Sequence, residues 1–361
     1  MLRLVLIALR FLQLVLKKFW ALSTALLLVL LLLHWMYGSL ASLAMLLLGI
    51  SGLLYNAQDL LLYRPEDPPQ SRLYVESPAT YGLLHENIFA QTKDGVSINM
   101  ILIKQPSPLM GLAHTIVIFH GNAGNIGHRL PNCYALQTYL RANVVLVEYR
   151  GFGKSGGKPS EQGLYLDAAC AMDYLLKRSD INPKKLVLFG RSLGGAVAIQ
   201  AASRYAANVH ALIVENTFTS LPDIGRHLFD FRVIRCLPKI CFKNKYPSDQ
   251  RISHLSVPSL FLSGSSDNLI PPIMMHKLYE LSCSPLKRLA KFPAGTHNDT
   301  WMSPGYYETM NRFLVEVSAP VDCACIHVSP QVDSYSHKGA STSASYSVDL
   351  PFDDGGAAFS V

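Results

Sequence analysis

Gly190-Arg191-Ser192-Leu193-Gly194-Gly195 stands between two stretches of different periodicity. Before it, 185–189 is a short apolar run, the pattern of a strand buried on both faces. After it, 196–202 has helical character. A Gly-x-Ser-x-Gly motif alone is only moderately specific. At a strand-to-helix turn it gains a chemical meaning. The sharp turn holds a serine in strained backbone geometry with its hydroxyl exposed, and small residues at 190 and 194 avoid clashes there. The competing reading is a Gly-rich turn whose serine merely caps the helix.

Outward from this motif, apolar runs at 115–119, 144–148, 186–190, 211–215, 259–263 and 288–292 alternate with helix-like segments at 131–141, 161–179, 192–205, 273–283 and 305–317. Such alternation predicts an α/β fold with a mostly parallel central sheet flanked by helices. Segments 87–92 and 96–103, joined at Lys93-Asp94-Gly95, read as an antiparallel hairpin ahead of it.

A serine hydroxyl is a weak nucleophile until a base takes its proton. Of the 12 histidines, His297 follows the last strand-like run in a loop of small residues, Pro293-Ala294-Gly295-Thr296. Asp267 lies just after the run at 259–263 and can orient that imidazole. The chain order Ser192, Asp267, His297 is that of an α/β-hydrolase fold. All three fall beyond the C-terminal ends of strands, where parallel sheets build their sites. Charge developing on a carbonyl oxygen needs an oxyanion hole. The expected donors are the N–H groups of Leu193, after the nucleophile, and Asn122, in the loop after 115–119. His120 in that loop reads as structural. Gly151-Phe152-Gly153-Lys154-Ser155-Gly156 imitates a nucleotide-binding loop, but Gly157-Lys158-Pro159 delays the helix that such a loop must open. It reads as a tight turn, and no nucleotide is expected.

The 361 residues are 50% hydrophobic and 16% charged, which excludes a wholly disordered chain. From Phe19 to Gln58 there are 40 residues without Asp, Glu, Lys or Arg, against roughly 20 needed to cross a bilayer. Before this run, Arg3, Arg10 and Lys17 share one helical face beside Lys18, as in an interfacial helix. The run is one long span, or two short spans joined near Gly38. Basic residues ahead of it favour a cytoplasmic N-terminus. One span then puts the remainder outside the cytoplasm, and two return it to the cytosol. One span is expected, with 1–60 as interfacial helix and signal anchor. Residues 61–79 form a proline-rich linker, 80–317 the catalytic domain with a short cap at about 216–256, and 318–361 a disordered Ser/Asp-rich tail.

The net charge of +7 fits an anionic membrane surface, and no nucleic-acid module is visible. The cap carries seven Lys and Arg against three Asp, interleaved with apolar residues, as in a cap touching anionic lipid or simply a solvated basic face. Seven cysteines, none in CxxC, signal no zinc site. Cys236 and Cys241 are either a pair or two free thiols. Asn298-Asp299-Thr300 is the single glycosylation sequon.

The stretches HGNAGNIGHR (120–129), YRGFGKS (149–155), FGRSLGGAVAI (189–199), VENTF (214–218), LIPPIMM (269–275) and GTHNDTW (295–301) resemble the membrane-anchored α/β hydrolases. The resemblance covers about 50–317. It implies Ser192, Asp267 and His297 as charge-relay residues, a single-pass type II membrane protein with a lumenal or extracellular domain, and glycosylation at Asn298. Glu148 departs from the pattern, where Asp is expected.

The expected function is a membrane-tethered serine hydrolase cleaving an acyl ester of a lipid or an acylated protein, with no metal and no cofactor. A thioesterase or amidase using the same residues is the enzymatic alternative. A non-catalytic scaffold on the same fold is the alternative from another class, disfavoured because nucleophile and base are both present.

Overall fold

The computed structural model describes residue 13 and residues 17–228 and 237–319. The Ser/Asp-rich tail, Cys236 and most of the N-terminal interfacial segment lie outside the described residues. Two helices, α1 (Trp20–Tyr37) and α2 (Ser39–Leu62), precede an eight-stranded sheet. The strands are β1 (His85–Gln91), β2 (Ser97–Ile103), β3 (Thr115–Phe119), β4 (Asn143–Val147), β5 (Leu186–Arg191), β6 (Val209–Glu215), β7 (Ser259–Gly264) and β8 (Lys287–Phe292). Their order is β1-β2-β4-β3-β5-β6-β7-β8. β1 and β2 pair antiparallel, β2 meets β4 antiparallel, and the remaining pairs are parallel. The hairpin and the six later strands fall where the apolar runs place them.

The parallel strands read as continuous apolar runs because both faces are covered. In β3, Val117 and Phe119 enter one layer, while Ile116 and Ile118 enter the other. In β5, Leu186 and Leu188 separate from Val187 and Phe189 in the same way. Helices α3 (Leu130–Tyr139), α4 (Glu161–Leu175) and α5 (Leu193–Arg204) follow β3, β4 and β5. α4 and α5 cover the first layer through Leu164, Met172, Val197 and Ile199. α3 covers the second through Leu130 and Leu136. Burying each such side chain contributes roughly 1.5–3 kcal/mol. The glycine-rich run after β4 is a tight turn: Gly151 and Gly153 have φ of 80° and 40°, and Gly151 N–H donates to Gly156 O at 2.8 Å.

The uncharged N-terminal run, expected as one long span or two short ones joined near Gly38, forms two helices. Gly38 has φ 82° and ψ 178°, a backbone region essentially confined to glycine, and the helix breaks there. A Cβ on Gly49 would lie 2.5 Å from Leu26 Cδ2. Since 26 and 49 are nearly equidistant from Gly38, the two helices fold back on one another as a hairpin. Their 18 and 24 residues are long and apolar enough to cross a membrane.

Residues 61–79, expected as a proline-rich linker, make hydrogen bonds to the domain. Tyr63 is buried, and its hydroxyl meets Asn244 Oδ1 at 3.1 Å and the Tyr246 hydroxyl at 2.8 Å. Asn125 Nδ2 donates to the carbonyls of Ser71 and Tyr74, and Arg72 to those of Gly153 and Ser155. The cap contributes α6 (Leu221–Leu228) and α7 (Ser248–Ile252). Between them, 237–247 runs to the end of α2. Gln58 donates to Cys241 O and accepts from Lys243 N–H, while Asp59 pairs with Lys243 at 2.6 Å and accepts from Asn244 Nδ2. α8 (Pro272–Leu281) and α9 (Tyr306–Ser318) complete the fold. α9 joins α3 over the second layer through Tyr306, Met310 and Phe313.

Candidate active site

Ser192 sits between β5 and α5 with φ 55° and ψ −123°, a conformation that side chains rarely adopt. Packing enforces it. A Cβ on Gly190 would lie 2.2 Å from Gly194 O, and one on Gly194 would lie 1.9 Å from Phe119 O. Only glycines let the elbow close against β3. The Ser192 N–H donates to Glu215 O at 3.0 Å, and its carbonyl accepts from the Thr217 hydroxyl at 2.7 Å. The turn is therefore tied to β6 on its far side. Its serine is not a side-chain cap of α5.

His297 Nδ1–H donates to Asp267 Oδ2 at 2.7 Å. Asp267 is buried, and its other oxygen accepts from the N–H groups of Leu269 and Ile270, both at 2.8 Å. Three donors on one carboxylate fix its orientation toward the imidazole. This arrangement leaves Nε2 of His297 as the free ring nitrogen. No hydrogen bond joins Ser192 Oγ to His297 among the described residues; their loops are linked through neighbours. Arg191 Nη1 donates to Asn298 O at 3.0 Å, and Asn216 Nδ2 donates to Thr296 O at 3.0 Å. Asn216 also donates to Thr300 Oγ1 and accepts from Gly264 N–H. One side chain thus joins the ends of β6 and β7 to the histidine loop.

Leu193 opens α5, so its N–H has no carbonyl four residues back and points from the positive end of the helix. Asn122 lies in the loop after β3, and its N–H makes no hydrogen bond among the described residues. A Cβ on the preceding Gly121 would be 3.8 Å from Ser192 Cβ, so this loop runs directly beside the serine. Asn122 is held by the end of α2 and the residues after it. Its Nδ2 donates to Leu62 O at 3.0 Å, and its carbonyl accepts from Arg64 N–H at 2.8 Å. His120 has the structural place expected. Nδ1–H donates to Gly121 O at 2.8 Å, Nε2 faces Glu148 Oε1 at 3.2 Å, and burial pushes the imidazole pKa down. Glu148 in turn accepts from Ile126 N–H, which braces the loop.

Three residues here escaped the sequence reading: Glu215, Asn216 and Arg191. Glu215 is fully buried at the end of β6, accepts from the Tyr306 hydroxyl, and has its pKa raised by burial. A glutamate closing an apolar run was the available signal. Asn298 is exposed beside His297. Among the described residues, no three His, Cys, Asp or Glu side chains cluster as metal ligands. Cys241 is described, but the expected Cys236–Cys241 question falls on a residue outside those described.

Residues 114–235 match the alpha/beta hydrolase fold family. The chain is 38% identical to alpha/beta hydrolase domain-containing protein WAV2 of Arabidopsis thaliana over 276 residues, covering 73% of this chain and 89% of that protein. The chain belongs to the alpha/beta hydrolase domain-containing family. Another member, an uncharacterized membrane protein of Saccharomyces cerevisiae, is 35% identical over 73% of this chain and 90% of its own length. Among solved structures, the Pyrococcus furiosus esterase Pf2001 superposes with a TM-score of 0.56 at 20% identity, covering 71% of this chain and 98% of the esterase. That likeness carries the fold. The alpha/beta hydrolase sheet and its elbow are those on which Ser192 stands, and hydrolase chemistry is the activity class this family membership supports.

Proposed function

We propose that this protein is a membrane-anchored serine hydrolase that cleaves an acyl ester of a lipid or an acylated protein. The observation that carries this reading is a strained Ser192 on the elbow, linked through Arg191 and Asn216 to a loop whose His297 is held by Asp267 at 2.7 Å. Ser192 Oγ attacks the acyl carbonyl as His297 Nε2 takes its proton. Asp267 holds the imidazole tautomer and stabilises the imidazolium. The N–H groups of Leu193 and Asn122 bind the oxyanion. His297 returns the proton to the departing alcohol, and water then releases the acid by the same route. The chemistry needs no metal or cofactor. A fluorophosphonate probe should form one adduct, mapped by mass spectrometry to the Ser192 peptide. An adduct elsewhere, or none on folded protein, would overturn the proposal.

The α1–α2 hairpin is the anchor, in keeping with the membrane character named for the yeast relative. The single-pass type II arrangement with a lumenal domain requires α1 and α2 to act as one span. A hairpin instead returns the chain to its starting side, so with the basic N-terminus cytoplasmic the catalytic domain is cytosolic. A glycan on exposed Asn298 would also crowd the neighbouring His297. The full-length protein should therefore show no glycosidase-sensitive mobility shift in mammalian cells, and Asn298→Gln should run identically. A shift lost in that variant would restore the single-pass topology.

A further inference from the structure

The anchor meets the domain at one particular edge. α2 ends at Leu62, whose carbonyl accepts from Asn122 Nδ2, and the next residues continue as a bridge between Arg64 and Ala123. Asn122 follows Gly121, which packs beside Ser192. With one residue step of about 3.8 Å between these two contacts, the helix end stands on the order of 10 Å from the serine. Among the described residues, no hydrogen bond joins α1 or α2 to the opposite end of the sheet, where β3 and β5 begin.

The loops surrounding the serine on that edge expose large apolar side chains. Leu269 and Ile273 lie beyond β7 after Asp267, Met302 lies beyond His297, and Ile240 adjoins the cap residues that hold Gln58. Their exposures are 42%, 68%, 65% and 77%. Left in water, Ile273 and Met302 each forgo the free energy that burying so large an apolar side chain would release. Lys239 and Lys245 are exposed in the cap segment that carries Ile240. An apolar rim with basic neighbours, continuous with a membrane helix, matches a surface seated on anionic lipid headgroups.

We propose that the catalytic edge rests on the bilayer, with Ile240, Leu269, Ile273 and Met302 in contact with lipid, and that the substrate is an ester whose acyl chain reaches Ser192 directly from the membrane. The substrate part rests on the serine hydrolase reading; the seating does not. Acyl chains then enter from the lipid side without crossing water, so the class is a long-chain membrane ester.

Full-length protein in nanodiscs of phosphatidylcholine with about 30% phosphatidylserine tests both parts. An environment-sensitive amino acid is placed by codon suppression at Ile273 or Met302, and at the exposed Leu112 or Val315 as references on other surfaces. Acyl-chain nitroxide lipids should quench the first two positions several-fold more than the references. Equal quenching, or stronger quenching at the references, would overturn the seating. In parallel, the wild type should hydrolyse a long-chain ester embedded in the disc at least tenfold faster than a water-soluble acetyl ester. Equal or reversed rates would overturn the substrate class. Turnover of neither ester, with rim quenching intact, would instead sink the hydrolase reading and leave the seating standing.

Discussion

Ser192→Ala should lower kcat for an ester by about 10^6-fold, and Asp267→Asn by about 10^4-fold, with both proteins remaining folded. The two losses have different causes. Alanine removes the atom that forms the acyl-enzyme in the proposed mechanism. It costs little stability, because Ser192 Oγ supports no hydrogen bond among the described residues and alanine bears the same backbone strain. The asparagine of Asp267→Asn would retain the shape of the carboxylate but could turn its amide toward His297. The imidazole would then be held in the wrong tautomer, with its proton on the nitrogen that must accept one from Ser192. The N–H groups of Leu269 and Ile270, which aim at one oxygen of Asp267, would favour that orientation by keeping the amide oxygen on their side. Measured kcat for a soluble ester, alongside thermal melts, distinguishes the two. Retention of more than about 1% of wild-type kcat in Ser192→Ala would show that another residue attacks.

Gly194→Ala should be the most damaging single methyl group in the domain. The added carbon would stand 1.9 Å from Phe119 O and 2.6 Å from His120 O. Both are backbone atoms, one closing a central strand and the other opening the oxyanion loop, and neither can swing aside as a long side chain would. Either α5 or the end of β3 must shift, which opens the layer formed by Phe119, Leu193 and Val197. A loss of about 3 kcal/mol or more is expected, lowering Tm by roughly 6–12 °C. Thermal unfolding of the full-length protein in detergent measures it. Gly95→Ala provides the contrast: no atom lies within 4 Å of its added carbon, so only the strain of its positive φ of 79° remains.

The central sheet was legible because its strands are buried on both faces. Val117 and Phe119 must be as apolar as Ile116 and Ile118 when they enter different layers, and that leaves a continuous run in the chain. Ser192, Asp267 and His297 were legible as candidates because each follows such a run, where a parallel sheet leaves its loops free. The hairpin was less so. An uncharged run of 40 residues has the same composition as one helix or two, and what separates those is the backbone of Gly38 and the close approach of Gly49 to Leu26. Residues 61–79 looked like a linker because proline and charge dominate them locally, while the partners that hold Tyr63 and Arg72 lie far along the chain.

By itself, then, the sequence determined the sheet, its flanking helices and the order of the three candidate residues, because local hydrophobic periodicity records which faces are buried. Only the tertiary structure decided that Asn216 and Arg191 tie the histidine loop to the serine turn, that the N-terminal helices fold back on one another, and that the end of α2 grips Asn122. Those are contacts between distant residues, made by polar groups whose partners no local pattern specifies.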